Sequence, residues 1–184
     1  MRTREAGTSA IAFVAVAISM PGAALAADSV FDTYFASKPN GATCYGRTYN
    51  AAHLKAHAAQ KVQRIEIDSE KLNPDGKLNT AERFELGFAI QSMSSAEWYG
   101  QNSICKSSAT SIDCYLEGDG GLFKLTPAEA GGLRMETGDY GIAIEGSNDA
   151  IQLSGKDGDD RVFILNASRE ECDAASAFFK TDSE

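Results

Sequence analysis

The sequence is short of the residues that most enzymatic chemistry needs. It has two histidines, His53 and His57, one tryptophan, Trp98, and four prolines in 184 residues. No serine stands in a Gly-x-Ser-x-Gly elbow, and with both histidines in one short segment a Ser-His-Asp triad has little to be built from. The many acids leave a paired-carboxylate hydrolase open, since sequence spacing does not say which carboxylates meet. An enzyme is therefore not the expected reading. Beyond residue 26 no cluster of Lys or Arg occurs, and without a basic face to neutralise phosphates the chain is not expected to bind nucleic acid. The four cysteines, Cys44, Cys105, Cys114 and Cys172, include no Cys-x-x-Cys pair, which argues against redox and zinc motifs. Long hydrophobic runs are also missing: the longest, Ala10 to Met20, has 11 residues, against about 20 for a membrane span.

That run has the form of an export signal. Arg2 and Arg4 precede it, Pro21-Gly22 follows, and Ala24-Leu25-Ala26 supplies small residues for a cut before Ala27. The expected organisation is a signal peptide over residues 1–26 and a single disulfide-stapled β domain over 27–184. No cysteine follows the cut, which argues against a lipid anchor, and no later segment is apolar enough for stable membrane insertion. The expected location is periplasmic or secreted, by a bacterial export route. Removing Arg2, Arg4 and Glu5 leaves 15 basic and 25 acidic residues, a net charge of −10 against −9 for the whole chain. The exported protein is strongly acidic.

In an oxidising compartment four cysteines form two disulfides, and three pairings are open. Ser107, Ser108, Ala109 and Thr110 read as a hairpin loop that sets Cys105 beside Cys114, which leaves Cys44 for Cys172. The second bond would clasp the start of the fold to its end, where loop closure predicts stabilisation of roughly 4–5 kcal/mol.

What the chain has in quantity is short alternating runs cut by glycine and acid turns. Ile112, Cys114 and Leu116 alternate with Asp113, Tyr115 and Glu117, and Tyr140, Ile142 and Ile144 with Gly141, Ala143 and Glu145. Gly118-Asp119-Gly120-Gly121, Gly131-Gly132, Gly138-Asp139, Gly146-Ser147-Asn148-Asp149 and the stretch Gly155 to Asp160 read as the turns between neighbouring strands. Upstream, Cys44–Tyr49, Val62–Ile67 and Trp98–Lys106 read as strands. Arg83–Met93 is the clearest, with Phe84, Leu86, Phe88 and Ile90 on one face and Glu85, Gly87, Ala89 and Gln91 on the other. Arg161–Asn166 is almost continuously apolar and predicts a strand covered on both faces. Ser168 and Glu171 fit a capping box for a closing helix that carries Cys172, Ala175 and Phe179 on one face. Val30, Phe31, Tyr34 and Phe35 mark a short lead helix, while Ala51 to Gln60 fits helix and loop equally.

The predicted fold is therefore mainly β: an antiparallel barrel, or less favoured a sandwich, of about eight to ten short strands with a short N-terminal and a C-terminal helix. Strand-helix-strand repeats are absent, which excludes a parallel α/β fold.

Few residues invite a chemical role. His53 and His57, at i and i+4, have the spacing of a two-histidine metal site. However, Leu54 stands where a zincin has glutamate, so a third ligand has to come from Glu66 or Asp68. Two surface histidines are the plainer reading, and no cofactor is expected. Two acidic loops, one with Asp157, Asp159 and Asp160 and one with Asn73, Asp75 and Glu82, resemble calcium ligands, but Lys71 falls at the first EF-hand position and turn chemistry accounts for both. Asn166-Ala167-Ser168 matches a glycosylation acceptor that coincides with the expected helix cap.

Two functions follow as expectations. One is a binding module whose barrel interior or mouth takes a small apolar ligand. The other is an inhibitor or envelope-associated scaffold that meets a basic partner through the acidic loops Glu117–Gly121 and Asp157–Asp160. The ligand and the partner are not named by any motif.

Overall fold

The computed structural model describes residues 27–36, 44–69, 76–145, 150–153, 158–168 and 172–178. The expected signal peptide, the turn at Gly146–Asp149, and Lys71, Asn73, Asp75, Asp157, Glu171 and Phe179 lie outside them.

Among the described residues, alternation of apolar and polar residues makes nine strands: β1 (Cys44–Thr48), β2 (Val62–Asp68), β3 (Phe84–Ser92), β4 (Trp98–Ser107), β5 (Ile112–Leu116), β6 (Gly121–Pro127), β7 (Leu133–Glu145), β8 (Ala150–Leu153) and β9 (Val162–Ser168). β1 to β7 pair antiparallel in sequence order, β7 pairs with β9, and β9 returns to β1. Eight strands thus close into a barrel, and β8 attaches to the far half of β7. Closure removes every raw edge from the ring, which settles barrel against sandwich.

The inward rows fill the barrel. Phe84, Cys105, Cys114 and Phe123 lie side by side across β3, β4, β5 and β6, and Phe88 stacks on Phe123 with ring centroids 5.5 Å apart. Phe84, Leu86, Phe88 and Ile90 are fully buried, as their alternation predicts. The opposite face of β3 is also buried at Glu85, Gly87 and Ala89. The cover there is α2 (Asp173–Ala177), which packs across β2, β3 and β4.

The two ends of the barrel are covered differently. At one, the lead segment forms a helical turn, Asp32–Ala36, of π type. It inserts Phe31 against Phe84, centroids 4.4 Å apart, and Phe35 against Tyr45 at 5.4 Å. Backbone bonds from Val30 N to the Ser108 carbonyl and from Phe31 N to Ser107 Oγ, both 2.9 Å, hold it there. At the other end Asp160 is fully buried and accepts from the amides of Lys61 (2.8 Å) and Val62 (3.2 Å). Helix α1 (Ala51–Ala56), capped by Asn50 through the His53 amide, lies over Tyr49 at that end.

The two disulfides are Cys105–Cys114 and Cys44–Cys172, joined as the hairpin spacing suggests, across sequence separations of 9 and 128 residues. They suit an oxidising compartment. No helix among the described residues is long and apolar enough to cross a membrane.

Four expectations need correction. β9 is not covered on both faces: Phe163 and Leu165 point inward, but Val162 and Ile164 are 38% and 36% exposed, because α2 lies over β2–β4 instead. Ser168 caps no helix; it is still in β9, opposite Cys44, and α2 begins at Asp173 after Cys172. Gly138-Asp139 is not a hairpin turn. It sits in a bulge inside one long strand, where a single residue of β6, Leu122 between Gly121 and Phe123, faces four of β7, Gly138 to Gly141 between Thr137 and Ile142. The bulge also throws Tyr140 off the face of Ile142 and Ile144 and into solvent, where it is 97% exposed.

Candidate functional site

The interior is a poor candidate for a site, because large buried side chains occupy it and Phe31 and Phe35 fill one mouth. The outer wall carries the unspent chemistry.

The most unusual part of the wall lies over β5, β6 and the β7 bulge. Tyr115 and Leu122 are cross-strand partners pointing outward, 45% and 60% exposed. The bulge runs against them. A Cβ on Gly121 would lie only 2.6 Å from the Gly141 carbonyl oxygen, so the chains approach too closely for a side chain there, whereas one on Gly138 would make ordinary contact at 3.6 Å from Leu122 Cβ. Gly141 adopts φ 74°, a left-handed conformation that suits glycine, and with Gly138 brackets Tyr140. Tyr140 is thereby held outside by backbone geometry, beside the outward pair that strand alternation gives at Tyr115 and Leu122.

Charge surrounds them unevenly. Lys124 pairs with Asp113 at 2.7 Å, and Glu136 is held by Arg134 and by Arg161 at 3.0 Å. The Arg134 hydrogen bond is the main reason that the Glu136 carboxyl sits below its ordinary range, with Arg161 adding to the effect. Glu117 and Asp119 in the β5–β6 turn and Asp139 on the bulge are exposed and pair with no cation among the described residues. A groove of about 320 Å³ runs beside Leu122 between Lys124, Glu136 and Asp139. The result is an aromatic and aliphatic centre with an acidic surplus at its rim.

The second acidic loop is put to structural use. Asp160 is buried against β2, with its carboxyl raised by that burial and lowered in part by the two amides it accepts from. Asp159 Oδ2 takes the Ala59 amide at 3.3 Å. Asp160 is therefore not displayed to a partner, which corrects the expectation for that loop.

His53 and His57 do meet. Their rings stack 4.4 Å apart, His53 stacks in turn on Tyr49 at 4.6 Å, and the Arg47 guanidinium lies over the Tyr49 ring at 4.7 Å from its centre. Burial pushes the Tyr49 hydroxyl up to about 12. Gln60 Nε2 donates to the Val62 carbonyl at 2.7 Å, which turns Gln60 Oε1 toward His53 Nε2 at 3.1 Å. An acceptor there requires a proton on His53 Nε2, so that nitrogen is engaged. The supposed third ligands are elsewhere: Glu66 pairs with Arg64, and Asp68 accepts from Ser176 Oγ and its neighbour Ser69 N. Among the described residues no three of His, Cys, Asp and Glu come together as a metal site. Glu82 is exposed, and Asn166 stands exposed in β9.

The bulge and its tyrosine were not legible as a surface, because glycine and aspartate at 138–141 carry the same signal for a bulge as for a hairpin turn. Comparison with protein-family models, curated proteins and solved structures gives no match, so the functional reading rests on the chemistry of the wall itself.

Proposed function

We propose that this protein is an exported scaffold that binds a basic protein partner through the wall over β5, β6 and the β7 bulge. The observation that carries the reading is Tyr140, almost wholly exposed on a glycine-bounded bulge beside the outward pair Tyr115 and Leu122. Exposed aromatics on a rigid frame are the anchors that interfaces use most, since they bring large area at little entropic cost. The acids at the rim, Glu117, Asp119 and Asp139, favour a partner of opposite charge by steering its approach. A disulfide-stapled barrel fits a binding module of this kind.

A small apolar ligand inside the barrel is the weaker alternative, because it has to displace Phe31 and Phe35 from the mouth before it can reach a core that is already occupied.

Affinity capture from an envelope extract of the producing cells tests the proposal. A basic protein is expected on the wild-type chain at low salt, lost at high salt, and absent from the Tyr140→Ala chain. Capture that is unchanged by Tyr140→Ala would sink the assignment of this surface.

A further inference from the structure

At the end of the barrel opposite the lead segment, one strand has an edge to spare. Among the described residues β8 pairs with β7 alone and stands outside the closed ring, so its other edge takes no strand. The hydrogen bonds show which backbone groups that edge presents. Ala143, which faces Gln152 across the ladder, gives its amide to the Gly120 carbonyl at 3.0 Å, on the side away from β8. In an antiparallel ladder the two residues of a pair turn their N–H and C=O groups either toward each other or both away, and the choice alternates along the strand. Gln152 and Ala150 therefore aim theirs outward. Lys61, just before β2, bears this out: its Nζ donates to the Gln152 carbonyl at 3.0 Å.

A groove of about 500 Å³ borders this edge. Ala150 and Ile151 line it from β8, Met93 from the end of β3, Tyr99 from β4, and Lys61 stands beside them. Ile151 is only half-buried, although it shares the inward face with its cross-strand partner Ile144, and Met93 is 46% exposed. Unbranched and flexible, a methionine in such a place adapts to the side chain laid on it. A lysine set on a short edge strand is a device by which proteins prevent casual strand pairing. Lys61 is the guard of this edge. The acids nearest to it are already spent, Asp160 on the Lys61 and Val62 amides and Asp159 on the Ala59 amide.

From this arrangement we infer that the groove receives an extended, uncharged peptide segment of a partner protein, which adds a strand to β8. Backbone is the chemistry this edge asks for, because N–H and C=O groups presented at every second residue are the pattern of another extended chain. An incoming N–H takes the Gln152 carbonyl, and the Lys61 ammonium swings aside next to the new strand. That ammonium bars a basic segment, while the net charge of −9 on the whole chain gives an acidic segment, or a second copy, no advantage. Apolar side chains at every second position of the segment lie on Ile151 and Met93. The occupant thus differs in charge from the basic partner proposed above, and the two surfaces share no side chain.

An amide NMR titration of the purified protein tests the inference, with a capped peptide of alternating valine and threonine as the probe. Two control peptides accompany it, one with lysine in place of threonine and one N-methylated throughout, which has no N–H to donate. The neutral peptide is expected to shift the amides of Ala150, Gln152, Lys61 and Met93, and neither control should do so. Gln152→Pro removes an N–H that the β7 ladder does not use, a place where an edge strand tolerates proline, and should abolish binding. Lys61→Ala removes the guard and should tighten binding about fivefold. Tyr140→Ala should leave it unchanged. The dispersion of the remaining amides shows that each variant is folded, and the N-methylated control needs no variant at all. Absence of shifts with the neutral peptide, shifts that persist with either control or in Gln152→Pro, or unchanged affinity in Lys61→Ala would overturn the inference. A dimer of the free protein in sedimentation, lost in Gln152→Pro, would give the edge to a second copy and overturn it equally.

Discussion

Glu66 and Asp160 are two carboxyls that the barrel takes largely out of water, and both are raised chiefly by burial. For Glu66 the rise is opposed by Arg64 and by the amides of Ala174 and Ala175, and is aided by Asp173. An acid raised in the fold binds its proton more tightly there than in the unfolded chain. Its contribution therefore favours the fold most in acid and is lost as pH rises through the carboxylate range to the raised value. Glu136 is lowered, so its smaller, solvent-screened contribution runs the other way and is lost as pH falls. Glu66→Gln mimics the protonated form at all pH values. Urea unfolding should show it gaining stability relative to the wild type at neutral pH more than in acid; an equal offset at both would mean that burial does not govern this carboxyl. The cysteines carry a second prediction at this scale. The Cys44–Cys172 loop spans 128 residues and the Cys105–Cys114 loop 9, so loop closure predicts that Cys44→Ser costs about 2 kcal/mol more than Cys105→Ser. Equilibrium unfolding of the two variants measures the gap.

Among the elements, the lead segment and α2 do more than their length suggests. Phe31 is buried between Phe35 and Phe84 at the barrel mouth, and Phe31→Ala should cost about 3–5 kcal/mol, read as a lowered midpoint in urea. A loss below about 1 kcal/mol would show that the mouth is only loosely closed. At α2 the contact is steric: a Cβ on Gly100 would lie 2.3 Å from Phe178 Cε2 and 2.4 Å from the Phe88 carbonyl oxygen. The alternation of β5 could be read from the sequence because a period of two reports directly which face is buried; in β3 it marked the apolar inward row, but the other face is buried as well, under α2. The same rule failed at β9, since a run of apolar residues does not distinguish a strand covered twice from one that leaves Val162 and Ile164 in solvent. It failed again at Gly138–Gly141, where extra residues in β7 shift Tyr140 out of phase with Ile142.

At the scale of the molecule, closure of β9 onto β1 creates what no local pattern announces. Gly46, Glu66 and Asn166 are far apart in sequence, and only the register of three strands brings them to one trough. Likewise, the acids at 117 and 119 read as turn residues until β7 sets Asp139 and Tyr140 beside their hairpin. The histidine pair was visible from its spacing, yet whether a third ligand joins it depends on where β2 places Glu66 and Asp68. The barrel thus presents a packed core and two chemically different outer faces. Hydrogen exchange on the complex with its captured partner tests that account most directly. The account predicts protection of amides in residues 113–124 and 136–143, with the lead segment 27–36 unchanged. Protection confined to the lead segment and the inward strands, with the bulge exchanging as in the free protein, would contradict it.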